Sequence, residues 1–229
     1  MPIRQERSVS PVNPVLIEAF ERTVSSDRWK TYQFASGFKD DLALALYLWN
    51  AALGQSFHFP LQAVEVALRN VIHRALVDEF GEEWCLDASC RKMLHPKQRD
   101  AIDKAAQRHL RKYGAVAATS NIVASVTFGF WTALLRREYD RSLWDAHAET
   151  AFPHLSETES AQTVFATATT VQDLRNRIFH QEPLIGHNLM ADYSAIIRLL
   201  GWICPRTKNW VKRNTSVPEI VRQRPAAQD

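Results

Sequence analysis

Glycine is scarce in this sequence. It supplies 7 of 229 residues, about 3% where about 7% is usual. Tight β-turns and glycine-rich phosphate loops are correspondingly rare, which favours helices. Cysteine is as thin: Cys85, Cys90 and Cys204 are the three present, too few for a secreted disulfide framework, and an odd count suits a reducing compartment. Long apolar runs are missing too. The longest spans about eight residues, Leu42 to Trp49, far short of a membrane helix. The polar opening MPIRQERSVS has no signal-peptide core behind it. These absences predict a cytoplasmic protein with no membrane partner. What is present is ordinary globular composition, 46% hydrophobic and 23% charged, in a chain long enough for a self-sufficient core.

Charge is unevenly spread. The net +3 and pI near 8.8 permit a nucleic-acid partner without demanding one. Between Arg91 and Lys112 eight Lys/Arg face two acids, and from Arg206 onward six face two, whereas Glu138 to Glu159 holds six acids and one Arg. Residues 1–12 read as a flexible arm, 13–205 as a single all-α domain, and 206–229 as a basic, mobile tail.

Within that domain Asn13-Pro14 opens a helix towards Val24, broken at Ser25-Ser26-Asp27. A second helix begins after Asp41, carries Leu42, Leu46, Trp49 and Leu53 inward, and exits over Gly54 to Phe59. Pro60, suited to a first helical turn, starts the clearest helix, with Leu61, Val64, Leu68, Val71, Ile72, Leu76 and Phe80 at three- and four-residue steps before Gly81. Residues 82–95 read as irregular. Pro96 to Tyr113 reads as a basic helix closed by Gly114. The stretch 122–128 has strand-like β-branched content, but its length and neighbours favour a short buried helix. Helices follow over Phe128 to Tyr139, Arg141 to Ala148, a long segment from Ser156 to Gln181 stopped by Pro183, and one from Asn188 to about Gly201.

Two polar patterns ride on these helices. Glu65, Arg69 and His73 are four apart and stack on one face, with Asn70 beside Arg69; this is either an ordinary surface pair or a set of partly buried charges that need partners. Arg175, Asn176 and His180 fall close to a helix C-terminus. An Arg guanidinium can grip a phosphate in bidentate fashion, and an imidazole can transfer protons at neutral pH, so the trio suits phosphodiester chemistry. The same residues would equally serve to brace or cap a helix. Lys97, Lys104, Arg108 and Arg111 on the basic helix are either a solvated face or an RNA contact. Phe128, Phe130 and Trp131 read as core, with base stacking as the other option. Cys85, Cys90 and His95 lack the paired spacing and fourth ligand of a zinc site, and no metal or cofactor is expected.

Taken in order, Leu46-Tyr-Leu-Trp-Asn50, Glu65-Val-Ala-Leu-Arg69-Asn70, Phe128-Gly-Phe-Trp131 and Leu174-Arg-Asn-Arg-Ile-Phe-His-Gln-Glu-Pro183 resemble the blocks of the Abi-like (abortive-infection, Abi_2 type) proteins of bacteria, members of the HEPN superfamily. The blocks span roughly residues 25–200. The last is the most specific, resembling the family's Arg-Asn-x-x-x-His signature followed by Glu-Pro. Many relatives carry a second His directly after the first; this chain has Gln181. Glu182 stands where His-x-Tyr toxins have Tyr, which argues against a partner nucleotidyltransferase.

The resemblance implies a HEPN-like helical bundle with additional helices and a metal-independent endoribonuclease of phage defence or a toxin system. It implies that Arg175, Asn176 and His180 act on RNA at a dimeric site, with Glu65, Arg69 and Asn70 supporting them. The partners implied are RNA, a second copy of the chain, and a small-RNA or protein antitoxin. A non-catalytic RNA-binding module or a structural interaction domain are the alternatives.

Overall fold

In a computed structural model, which describes residues 14–226, the chain is all-α: twelve α-helices, with no strand among the described residues. The arm expected over residues 1–12, and the Asn13 cap, lie outside the described residues. The chain forms two compact units. Among the described residues, the first comprises those up to His58, Arg177–Met190 and those from Ser216; the second comprises Phe59–Asn176 and Ala191–Thr215. No helix of the described residues is long and apolar enough to cross a membrane.

The first unit holds α1 (Pro14–Val24), α2 (Ser26–Ala35), the first half of α3 (Asp40–Phe80) and α12 (Val217–Arg222). Its centre is aromatic. Phe20 meets the rings of Trp29 and Tyr47 edge-on at 5.1 and 4.9 Å, and Tyr32 meets Tyr47 at 5.1 Å. The Trp49 indole N–H donates to the Ile220 carbonyl at 2.7 Å, and the Arg224 guanidinium lies 5.5 Å from the same ring. Within the stretch expected as a basic tail, α11 (Pro205–Asn214) and α12 form helices that bury Val211 and Val217.

The second unit continues α3 and adds α4 (Ala88–Met93), α5 (Pro96–Tyr113), α6 (Thr119–Ser125), α7 (Phe128–Ala133), α8 (Asp145–Ala151), α9 (Ala161–Phe179) as far as Asn176, most of α10 (Leu189–Ile203) and α11. Buried Leu61, Val64, Leu68, Ile72 and Leu76 of α3 share this core with Val164, Ala168, Val171 and Leu174 of α9 and with Ile196, Leu199 and Leu200 of α10. Gly114 caps α5 in the left-handed region, φ 67°, its N–H on the Leu110 carbonyl.

Several boundaries differ from the sequence reading. The predicted break over Gly54 to Phe59 does not occur; α3 runs unbroken for 41 residues with Pro60 inside it. A helix-internal proline forfeits one backbone hydrogen bond and strains the preceding turn, but buried Leu53, Phe57, Leu61 and Val64 keep one apolar stripe across it, and burial outweighs propensity. The predicted Phe128–Tyr139 helix stops at Ala133. There the Trp144 indole N–H takes the Leu134 carbonyl at 2.6 Å, and a 3-10 turn over Arg137–Tyr139 and a π turn over Asp140–Trp144 follow. The Ser156–Glu159 start signature forms its side-chain bonds in a turn, Ser156 Oγ to Glu159 at 2.9 Å, while α9 begins at Ala161. Finally, α2 starts inside the expected Ser25–Asp27 break, and α4 lies in the stretch 82–95 read as irregular chain.

Candidate active site

In the second unit, successive turns of α3 carry Glu65, Arg69 and His73. Glu65 Oε2 lies 3.7 Å from Arg175 Nε, and both side chains remain about a quarter to a third exposed, at 31% and 26%. Arg175 Nη1 donates to the Asn176 carboxamide oxygen at 3.4 Å. The two polar patterns of the sequence therefore meet at one point: Glu65 on α3 stands within ion-pair distance of Arg175, which is bonded to Asn176 on α9. Arg69 is half-buried, and its Nε makes no hydrogen bond among the described residues. Asn70 is exposed.

His73 has a different task. The Trp84 indole N–H donates to its Nδ1 at 3.0 Å. Since that indole can only donate, Nδ1 is unprotonated. Burial pushes the imidazole pKa down, with Glu82 opposing and Arg69 and Arg74 reinforcing the shift. A neutral ring fixed to a core tryptophan is an anchor for the α3–α4 turn.

His180 belongs to the first unit, while Arg175 and Asn176 belong to the second. Where the sequence placed His180 in the last turn of a helix reaching Gln181, α9 ends at Phe179 and His180 is the exposed residue just past it. The ending is a Schellman cap: Glu182 N–H donates to the Arg177 carbonyl at 2.9 Å and Gln181 N–H to that of Ile178 at 3.0 Å. Gln181 occupies the left-handed position that glycine usually fills, φ 57°. The Arg177–Glu182 ion pair, at 3.1 Å, spans the same turn. Asn50 on α3 accepts the Leu184 N–H at 2.7 Å, fixing the chain after Pro183.

Within their own units, one of the first three sequence blocks reaches the fourth and two reach its flanks. Asn50 binds Leu184, Glu65 pairs with Arg175, and a Cβ built on Gly129 would stand 3.4 Å from the Gln172 side chain of α9, so this glycine allows a close approach. Phe128, Phe130 and Trp131 are buried and serve the core, Trp131 edge-on to Trp84 at 6.3 Å.

The basic helix divides. Lys104, Arg108 and Arg111 line a basin of about 520 Å³ with Gln107 and residues Ser125 to Thr127. Lys104 also pairs with Asp100 at 2.7 Å, and Arg108 reaches the Ser125 carbonyl at 3.5 Å. Lys97 stands outside this basin, in the first turn of α5, its backbone N–H on His95 Nδ1.

Burial pushes the Cys85 and Cys90 thiols up to about 12, which makes them inert core groups. Among the described residues no group of three or more His, Cys, Asp or Glu stands close enough to hold a metal ion. Sequence reasoning missed a cavity of about 310 Å³ in the first unit, bounded by α3 residues Asn50, Gln55 and His58 and by Phe179, Gln181 and Glu182. A signal was present in His58 and Gln55, polar residues inside an otherwise apolar stretch, which the expected helix exit had explained away. Compared with protein-family models, curated proteins and solved structures, the chain matches none.

Proposed function

We propose that this chain is an Abi-like protein of HEPN type that cuts RNA without a metal, as an effector of phage defence or a toxin system. The observation that supports this reading best is the Glu65–Arg175 pair with Asn176 beside it. A carboxylate at ion-pair distance favours the guanidinium's position while leaving N–H groups to grip a phosphate. In the proposed reaction a ribose 2′-OH attacks the adjacent phosphorus as the bond to the 5′-oxygen breaks. His180 handles protons, Arg175 and Asn176 hold the charged phosphoryl oxygens, and a 2′,3′-cyclic phosphate and a 5′-hydroxyl result. Arg69 and Asn70 would support the cluster. A homodimer and a small-RNA or protein antitoxin belong to the same reading, as does a cytoplasmic location.

The product ends test it. Mass spectrometry of cleaved RNA is expected to find 2′,3′-cyclic phosphates, and 2′-deoxy substitution at the cut nucleotide is expected to block cleavage. Cleavage that persists at the deoxy position would exclude 2′-OH attack.

The basin of Lys104, Arg108 and Arg111 favours a second reading, a module that binds RNA without cutting it. Phosphate contacts release counterions, so that reading predicts binding that weakens steeply with salt and leaves the RNA intact.

A further inference from the structure

No step of the proposed cleavage uses the cavity at the end of α9. Its volume, about 310 Å³, falls at the small end of ligand sites, which run from about 300 Å³ upward. It suits one planar heterocycle, not a duplex. Two features of its wall are specific. His58 and Phe179 form a stacked aromatic pair, centroids 6.3 Å apart and planes 30° from parallel, and Phe179 is 49% exposed. Around this pair stand the carboxamides of Asn50, Gln55 and Gln181. The Leu184 N–H at 2.7 Å holds the Asn50 carboxamide in place, while Gln55 and Gln181 are exposed.

An aromatic face with nearby carboxamides is how proteins take an unpaired base. A carboxamide offers a donor and an acceptor in one plane, which matches the N6 amino group and N7 of adenine. Glu182, the acidic group in the wall, is engaged by Arg177 at 3.1 Å and is the poorer reader of guanine for that reason. His180 lies in sequence between two wall residues, Phe179 and Gln181, but is not itself part of the wall.

We infer that this cavity is a nucleobase subsite that takes an unpaired adenine of the RNA substrate. The inference rests on the endoribonuclease reading for its substrate, and its test separates the two. Fluorescent 2′-O-methyl hexamers, which cannot undergo 2′-OH attack, carry A, G, C or U at the centre of a uridine background. Their anisotropy is measured with the full-length chain and with Gln55→Ala, His58→Ala and His180→Ala. The A-centred probe is expected to bind about tenfold more tightly than the U-centred one, in line with one base–aromatic stack. Gln55→Ala and His58→Ala should erase that preference with helical content unchanged, and His180→Ala should retain it. Equal binding of all four probes, absence of binding, or a preference that survives both variants would overturn the subsite. A preference for another base that both variants erase would overturn the adenine assignment. If adenine preference holds while natural RNA stays uncut, the cleavage reading fails and the subsite stands.

Discussion

Arg175 carries most of the proposed chemistry, and it does not act alone. Its ion pair with Glu65 is partly exposed, so the pair adds only about 0.2–1 kcal/mol to stability. In the proposed reaction its larger effect is orientation. Glu65→Gln is expected to unfold within about 1 kcal/mol of wild type yet cleave RNA about 10–100-fold more slowly, the usual loss when a supporting carboxylate is removed. Steady-state kinetics and denaturant titration read the two effects separately; unchanged cleavage would mean Arg175 needs no such partner. Gln181 is the other residue with a measurable signature. A side chain at φ 57° costs about 1 kcal/mol relative to glycine. Gln181→Gly should therefore raise the urea midpoint, and a lowered midpoint would mean the side chain's contacts at the cavity outweigh the strain.

At the scale of elements, the C-terminal helix α12 is fixed by the Trp49–Ile220 hydrogen bond. Trp49→Phe keeps an aromatic body and removes the donor, so a loss of about 1 kcal/mol is expected. Amide exchange should speed up across 217–222 before it does elsewhere; uniform exchange would show that α12 is held by other contacts. This helix also shows what the sequence hid. Its six residues, Val217–Arg222, are too few for a periodic pattern, and the tryptophan that fixes them lies far upstream. The long amphipathic stripes of α3, α5, α9 and α10 were legible because burial follows helical spacing. Pro60 misled because a local propensity rule was applied where Leu53, Phe57, Leu61 and Val64 already supplied a continuous buried face. Much of the candidate site was legible as two separate polar patterns. Their meeting at Glu65 and Arg175 was not, since periodicity assigns a face to each helix but not the neighbour that it meets. The cavity around His58 needed coordinates for the same reason.

For the whole molecule, acid is the informative stress. Glu159 accepts hydrogen bonds from Arg198 at 2.6 Å, from Ser156 and from the Trp202 indole at 2.8 Å. The Arg198 bond leads in pulling its pKa from an ordinary 4.5 to about 2, and the Ser156 N–H reinforces it. A carboxylate with a lower pKa folded than unfolded stabilises the fold above its unfolded value, and loses that contribution as pH falls through the folded value. The stability gap between wild type and Glu159→Gln should thus be steady above about pH 5 and close between 4.5 and about 2. Arg198 is 52% exposed, so the gap should be modest, about 1 kcal/mol. A gap that persists at the acid end would assign it to packing.

The central claim, that the end of α9 cleaves RNA, meets its most direct test in one gel. Wild type and His180→Ala are incubated in EDTA with end-labelled total RNA and, in parallel, with DNA of matched length. The account predicts products from RNA alone and from wild type alone, with both proteins equally helical by circular dichroism. RNA cut by His180→Ala at the wild-type rate would contradict it.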